Sequence, residues 1–283
     1  MRSSPIKLTA LRRDLKKTLV EKGETDPDNA SLVIISRALG RPKSWILAHS
    51  EYQLTLDEKQ SLQNLVAKYA RGIPLPYILG TWEFYGRNFK VTPTVLIPRP
   101  ETELIVDLAL SYGKEKETLL IVDVGTGSGA IAVSLSANFQ QSTVVAIDIS
   151  RKALTIAKEN AIAHNQKRIK FLQADLLAPL KTKFNLICAN LPYIPSRKLS
   201  SLAVAKWEPK LALDGGQSGL DHIERLLQQT VHRLKPEGCI LLEIESSLGG
   251  ETLTVARRIF PNATLNLYQD HAGLDRVIEI IHE

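Results

Sequence analysis

From about residue 98 onward, short apolar runs alternate with stretches of helical periodicity, and this alternation constrains the fold more than any other feature of the chain. The runs read LLIVDV (119–124), TVVAID (143–148), IKFLQAD (169–175), FNLICAN (184–190) and GCILLEI (238–244). Continuous apolar runs of this length indicate strands that are buried on both faces, as in parallel sheets covered by helices. The sequence therefore predicts an α/β domain with helices on both faces of a mostly parallel sheet.

The end of the chain departs from this alternation. ATLNLYQD (263–270) and DRVIEIIH (275–282) are separated by only a short turn. Parallel neighbours need a crossover of a dozen or more residues, so the tail must contain an antiparallel strand. We therefore expect a mostly parallel sheet whose last strand is antiparallel, which argues against an ordinary dinucleotide-binding fold.

Residues 1–80 have the periodicity of a small helical bundle. Leu8, Leu11, Leu15 and Leu19 recur at helical spacing. Further along, the Asp26-Pro27 pair, the Thr55/Glu58 pair and Gly40 supply two helix starts and one helix end, respectively. This stretch has no catalytic grouping of residues, and we interpret it as a domain for recognition of a partner.

Residues 81–97 are rich in aromatic and branched residues on either side of Gly86-Arg87-Asn88, which predicts a hairpin. We therefore expect three parts: a helical recognition domain at 1–80, a hairpin linker at 81–97 and an α/β domain at 98–283.

Composition and charge limit the class of protein. Apolar residues make up 44% of the chain, which is enough for a full core, and the net charge of +6 comes without arginine-rich runs. We therefore expect no stable binding to nucleic acid. Cys188 and Cys239 lie in apolar runs, which favours a reducing compartment, and no Cys/His cluster predicts a metal site. With no long apolar run at the N-terminus, we expect a cytoplasmic protein without a membrane span.

A glycine-rich run follows the first predicted strand and opens a helix. The run contains Gly125, Thr126, Gly127, Ser128 and Gly129. Glycines at such a turn allow a ligand to approach the backbone N–H groups at a helix N-terminus. The run predicts a cofactor site, and with Ala130 it also satisfies the permissive dinucleotide pattern.

Two acidic residues at the ends of the next strands fit the same site. Asp148 ends the second strand, where a carboxylate can accept hydrogen bonds from the hydroxyls of a ribose. NAD and S-adenosylmethionine both carry that ribose, so Asp148 does not separate them. Asp175 ends the third strand and can either face an adenine edge or cap a helix that begins at Leu176.

The tetrapeptide Asn190-Leu191-Pro192-Tyr193 follows the fourth strand, at the edge of the sheet where ligands bind. An amide nitrogen is a poor nucleophile because its lone pair is delocalised into the carbonyl. The Asn190 side-chain oxygen and the Leu191 carbonyl can both accept from such an NH2 group and stabilise the positive charge that grows on nitrogen. Tyr193 offers an aromatic face to a planar group, and Pro192 stiffens the loop.

These motifs resemble those of the peptide chain release factor glutamine methyltransferases, and the resemblance extends over nearly the whole chain. The matching segments read GIP (72–74), YILG (77–80), WEFYG (82–86), LIPRPETE (96–103), WEP (207–209), ALDGG (212–216), GL (219–220) and DHAGLDR (270–276).

The resemblance implies a Rossmann-like class I methyltransferase domain behind a helical N-terminal domain. It also implies methylation, by S-adenosylmethionine, of the glutamine in the Gly-Gly-Gln motif of class I release factors. By motif match, the glycine run, Asp148 and Asn190 would contact S-adenosylmethionine, and Leu176 would pack on its adenine. Residues 190–193 would hold the glutamine side chain, with Asn190, Pro192 and Tyr193 as the catalytic residues.

The sequence departs from the family pattern at two places. Leu191 replaces the first proline of the usual Asn-Pro-Pro-Tyr, and the chain reads Leu242-Glu243-Ile244-Glu245-Ser246-Ser247 where the family more often has a Gly and then a Gln. A leucine still offers its carbonyl, but one φ restraint is lost.

Four alternative functions remain at this stage. Some adenine methyltransferases that act on ribosomal RNA also have Asn-Leu-Pro-Tyr, and a ribosomal-protein glutamine is a related substrate. The glycine run also permits a NAD-dependent oxidoreductase, but the sequence shows no His or Lys/Tyr acid–base grouping for that chemistry. Intact glycine and Asn-Leu-Pro-Tyr motifs argue against a catalytically idle binding module in which the helical bundle acts alone.

Overall fold

The computed structural model describes residues 7–24 and 26–282, which divide into two compact units between Gly80 and Thr81. The helices of the N-terminal unit are α1 (Leu8–Glu21), α2 (Pro27–Leu39), α3 (Lys43–Ala48), α4 (Leu56–Ala70) and α5 (Leu75–Leu79). Among the described residues, every helix is too short or too polar to cross a membrane.

The helix boundaries of the N-terminal unit follow from local sequence signals. The Asp26 carboxylate accepts from the Asn29 N–H at 3.1 Å, so α2 begins at Pro27. Gly40 ends that helix in the left-handed region, with φ of 62°. At α4 the Thr55 hydroxyl and the Glu58 carboxylate each accept the other residue's backbone N–H, as the capping-box pattern predicts.

The second unit contains a hairpin and an α/β sheet. The hairpin is β1 (Thr81–Phe84) and β2 (Arg87–Lys90). The remaining strands are β3 (Leu120–Val124), β4 (Thr143–Asp148), β5 (Lys170–Gln173), β6 (Phe184–Ala189), β7 (Leu234–Glu243), β8 (Thr264–Gln269) and β9 (Asp275–Ile281). The helices are α6 (Glu103–Gly113), α7 (Ala130–Asn138), α8 (Arg151–Ala163), α9 (Ser196–Leu199), α10 (Asp221–Thr230) and α11 (Gly249–Ile259). Short 3₁₀ turns lie at Pro100–Thr102, Ala203–Lys206, Lys210–Ala212 and Ser246–Leu248.

Within the described residues, seven strands form one sheet in the order β5-β4-β3-β6-β7-β9-β8. All neighbours are parallel except those that involve β9, which runs antiparallel to both β7 and β8. The prediction of a mostly parallel sheet with an antiparallel last strand is therefore confirmed.

The strand order creates a crevice between two strands. From β3 the chain proceeds to β4 and β5 on one side, and then returns to form β6 on the other side of β3. The segments that leave β3 and β6 therefore diverge at the carboxyl edge, which is where open α/β sheets bind ligands. Val124 pairs with Ala189, so the glycine run and Asn190 emerge side by side.

Several boundaries differ from the sequence prediction. The hairpin turn is Tyr85-Gly86, whereas Arg87 and Asn88, predicted as loop, lie in β2 opposite Phe84 and Glu83. β5 ends at Gln173, so Asp175 lies two residues beyond the strand rather than at its end.

β7 begins at Leu234 instead of 238, and its register with β6 shifts between Phe184 and Leu186. The irregularity lets Pro236 and a positive φ at Glu237 occur within the strand.

Candidate active site

The glycine run forms a tight turn between β3 and α7. The N–H groups of Gly125 and Thr126 both donate to the carbonyl of Ile147 at 2.8 Å, which ties the turn to the end of β4. Gly125, Gly127 and Gly129 all have positive φ, at 75°, 55° and 81°. An L side chain is strained at each of these positions, which explains the spacing of the three glycines.

Gly129 also permits a close helix approach. A Cβ there would lie 3.1 Å from the Cβ of Ala157 and 3.2 Å from its Cα, both on α8. The helix that starts at Ala130 is buried along most of its length. The third glycine is thus required by both the turn and the packing of α7 against α8.

Asp123 lies beneath the glycine turn, and sequence reasoning did not single it out. Its Oδ2 accepts from the Thr126 hydroxyl at 2.6 Å and from the Ala132 N–H at 3.1 Å, so it braces both sides of the turn. Its Oδ1 is buried and has no hydrogen-bond partner among the described residues. Burial raises the pKa of Asp123 from 3.8 to about 7, although these two hydrogen bonds lower it. The available sequence signal was its place at the end of β3, just before the first glycine.

Asp148 ends β4 beside the turn. One carboxylate oxygen accepts from the Gly127 N–H at 2.9 Å, and the other accepts from the Ser150 N–H at 2.8 Å. Burial raises the pKa of Asp148, and these two bonds oppose that rise. Each carboxylate oxygen retains a lone pair after its backbone bond, so the group can also accept from a vicinal diol.

Asp175 and Leu176 line the same pocket. Residues 176–179 form a turn and not the helix that the capping alternative required. The Asp175 carboxylate instead pairs with the Arg225 guanidinium at 2.6 Å. Leu176 is buried in the left-handed region, with φ of 53°, which is unusual for a residue with a side chain.

The Asn190–Tyr193 segment follows β6 and reaches the same pocket through Asn190, Leu191 and Pro192. The Asn190 Nδ2 donates to the Thr102 hydroxyl at 3.0 Å. Leu191 is buried, and its Cδ2 lies 3.1 Å from the position that a Cβ on Gly125 would occupy. The leucine that replaces the usual proline therefore packs directly against the glycine turn.

Two further residues complete a hydrogen-bonded cluster around Asn190. The Thr102 hydroxyl donates to Glu243 Oε2 at 2.5 Å, and the Tyr193 hydroxyl donates to Glu243 Oε1 at 3.4 Å. Burial raises the pKa of Glu243 to about 7, and Arg276 and the hydrogen bond from Thr102 lower it. Sequence reasoning missed the roles of Thr102 and Glu243, because both are far from Asn190 along the chain.

A glycine-containing loop supports the backbone behind Tyr193. The Ile194 N–H donates to the Leu213 carbonyl at 3.1 Å, and the Gly215 N–H donates to the Ile194 carbonyl at 2.8 Å. A Cβ on Gly215 would lie 2.6 Å from the Cα of Tyr193, and one on Gly219 would lie 2.5 Å from the Tyr193 carbonyl oxygen. The 213–219 loop therefore fixes the path of the Asn190–Tyr193 segment by direct backbone contact.

The pocket as a whole suits S-adenosylmethionine. It brings together the glycine turn, the Asp148 carboxylate, Leu176 and Asn190. Asp148 suits the ribose hydroxyls, and the apolar wall suits a flat purine. All predicted site residues except Gly129 and Tyr193 line this pocket; Gly129 instead packs against α8, and Tyr193 contacts Glu243 behind Asn190.

Comparison with known proteins agrees with this geometry. Residues 105–206 match the methyltransferase small domain family, and residues 10–80 match the PrmC N-terminal domain family. A release factor glutamine methyltransferase of Moorella thermoacetica is 39% identical over 263 residues, covering 92% of this chain and 93% of the relative. The chain belongs to the release factor glutamine methyltransferases. Another member, from Streptococcus pneumoniae, is 35% identical and covers 97% of this chain and 98% of the relative.

Solved structures support the fold alone, because their sequence identities are low. A methyltransferase from Pyrococcus furiosus superposes with a TM-score of 0.52 at 14% identity, covering 79% of this chain and 98% of that one. A Thermus thermophilus 16S rRNA N2 G1207 methyltransferase, solved with S-adenosylmethionine and guanosine, gives 0.53 at 15% identity, covering 72% and 50%. As a member of its family, the chain is an S-adenosylmethionine-dependent methyltransferase.

Proposed function

We propose that this methyltransferase modifies the side-chain amide nitrogen of the glutamine in the Gly-Gly-Gln motif of class I peptide chain release factors. The names of its relatives, which match along nearly the whole chain, support this substrate. The observation that carries the chemistry is the contact between Asn190 and Thr102. Because the Asn190 NH2 group is held by Thr102, its oxygen is left to accept a hydrogen bond from a substrate.

Two acceptors next to each other suit a primary amide. The Asn190 side-chain oxygen and the Leu191 carbonyl hold the two hydrogens of the glutamine NH2 group, which orients the nitrogen and stabilises the charge that develops on it. Bound S-adenosylmethionine supplies an electrophilic methyl group. The two acceptors would stabilise the positive charge on the amide nitrogen during transfer, and the nitrogen would then lose a proton to water. No strong base in the protein is required.

The same pocket supports a role for each residue that lines it and that we predict to bind the cofactor. We propose that Asp148 accepts from the ribose hydroxyls and that the turn of residues 125–129 lies against the rest of the cofactor, with Asn190 at its reactive end. Leu176 packs on the adenine, and Asp175 lies at the adenine edge, where its ion pair with Arg225 competes for the carboxylate.

The three segments of the chain have separate proposed roles. We propose residues 1–80 as a substrate-recognition domain, 81–97 as a linker and 98–283 as the methyltransferase domain. The two buried free thiols, Cys188 and Cys239, favour a reducing compartment, and we propose that the enzyme acts in the cytoplasm.

Transfer of labelled methyl from S-adenosylmethionine tests this function. Purified class I release factor is the substrate, a Gln→Ala change in its Gly-Gly-Gln motif is the control, and ribosomal RNA is assayed in parallel. Label on the intact factor alone is the expected result. Label on RNA with an unmodified factor would reject the proposed substrate and leave only the fold and cofactor.

A further inference from the structure

Thr102 and Glu243 form a buried chain of hydrogen bonds that ends on Asn190. Thr102 is 4% exposed and Glu243 is 2% exposed, and they lie before α6 and at the end of β7. Asn190 Nδ2 donates to Thr102 Oγ1 at 3.0 Å, and Thr102 Oγ1 donates to Glu243 Oε2 at 2.5 Å. Three elements that are distant in sequence thus meet at one amide group.

The number of available hydrogens determines which group donates and which accepts in these two hydrogen bonds. An ionised carboxylate only accepts, and a threonine hydroxyl carries one hydrogen. That hydrogen must go to Glu243, so the Thr102 oxygen has only lone pairs left for Asn190. Asn190 must then turn its NH2 group toward Thr102 and its oxygen away from it.

We propose that Thr102 and Glu243 are positioning residues that lock the Asn190 amide with its oxygen toward the substrate nitrogen. This inference rests on the proposed function. If the amide were reversed, two NH2 groups would face each other, and the nitrogen of the substrate would lose one of its two acceptors. The pair therefore selects substrates that present an NH2 group at this point.

The charge on Glu243 determines whether Thr102 donates its hydrogen to Glu243 or to Asn190. Besides Thr102, the groups that act on this carboxylate are the Tyr193 hydroxyl and the charges of Arg276 and Glu101. A protonated Glu243 can donate to Thr102, which frees the Thr102 hydrogen for the Asn190 oxygen and allows the amide to reverse. Since burial raises the pKa of Glu243 to about 7, we expect kcat to fall as the pH drops through that region.

Thr102→Val and Thr102→Ser separate the hydroxyl from the shape of the side chain. We expect Thr102→Val to lower kcat about tenfold to hundredfold, as expected for loss of one oriented hydrogen bond. It should leave the Kd for S-adenosylmethionine nearly unchanged and lose the acidic limb of the kcat profile. Thr102→Ser keeps the hydroxyl and should retain both activity and the acidic limb. Thr155→Val, on the exposed face of α8, is the control and should match the wild type.

The outcomes distinguish this inference from the proposed function. Wild-type kcat in Thr102→Val, or an acidic limb that persists in it, overturns the inference while transfer to the release factor still supports the function. A wild-type protein that does not modify the factor removes both. Should Thr102→Val fail to bind cofactor, Thr102→Ala removes the same hydroxyl with less bulk and is judged by the same two readouts.

Discussion

Replacing Asp148 with asparagine tests the cofactor site with the smallest change of shape. Both carboxylate oxygens accept backbone N–H groups, from Gly127 at 2.9 Å and from Ser150 at 2.8 Å. An asparagine has only one oxygen, so one of these N–H groups would face an NH2 group. The substitution should therefore disturb the turn and also remove the charged acceptor for the ribose.

The expected loss of cofactor affinity can be estimated. A hydrogen bond to a charged group contributes about 1.5–3 kcal/mol, and each 1.4 kcal/mol is tenfold in Kd. We therefore expect Asp148→Asn to weaken S-adenosylmethionine binding by about tenfold to a hundredfold. Titration calorimetry measures this directly. Asp107→Asn removes one negative charge from the exposed face of α6, outside the pocket, and should leave the Kd unchanged.

A cofactor analogue without the ribose 2′-hydroxyl distinguishes a direct contact between Asp148 and the ribose from an effect of Asp148 on the shape of the glycine turn. If Asp148 binds that hydroxyl, the wild type should bind the analogue more weakly than S-adenosylmethionine, and Asp148→Asn should show a smaller difference. An unchanged Kd in Asp148→Asn refutes the ribose contact. A weakened Kd with full discrimination between the two ligands would mean that Asp148 only shapes the turn.

Three further substitutions probe the remaining parts of the site. Asn190→Ala should leave cofactor affinity nearly intact and lower kcat at least a hundredfold, because one of two acceptors for the reacting nitrogen is lost; single-turnover methyl transfer measures this. Gly129→Ala combines a positive φ with a Cβ 3.1 Å from Ala157, so urea unfolding should show a loss of about 1–3 kcal/mol. The folded protein favours the neutral form of Asp123, because burial raises the pKa of this carboxyl group from 3.8 to about 7. The contribution of this pKa difference to the free energy of unfolding is full below about pH 4 and is lost as the pH rises from there to 7, by up to about 4 kcal/mol. Stability of Asp123→Asn relative to wild type should accordingly increase between pH 5 and pH 8, and a constant difference would contradict the assigned protonation.

Local sequence patterns were sufficient to predict the motifs that lie at strand ends. The glycine run and the Asn190–Tyr193 segment each follow an apolar run, and parallel strands share one carboxyl edge. The pairing of Val124 with Ala189 brings the two motifs together as this rule predicts. Strand boundaries were less predictable where the backbone is irregular, as at Pro236 in β7.

The positioning cluster could not be predicted in the same way. Thr102 and Glu243 are 141 residues apart, and Thr102 and Asn190 are 88 apart. Their contacts depend on how α6 packs over the sheet, which no local pattern encodes. Glu243 also lies in a segment where the sequence departs from the family pattern, so its neighbours gave no indication of its role.

The Asn-Leu-Pro-Tyr motif does not by itself determine whether the substrate is a protein or an RNA. The buried side chain of Leu191 packs on Gly125, so the leucine joins the two motifs. The two acceptors that we propose would select an NH2 group, but a glutamine amide and an adenine amino group both provide one. The choice between protein and RNA must therefore be made by surfaces outside these four residues. For this reason, release factor and RNA must be compared as substrates of the same preparation.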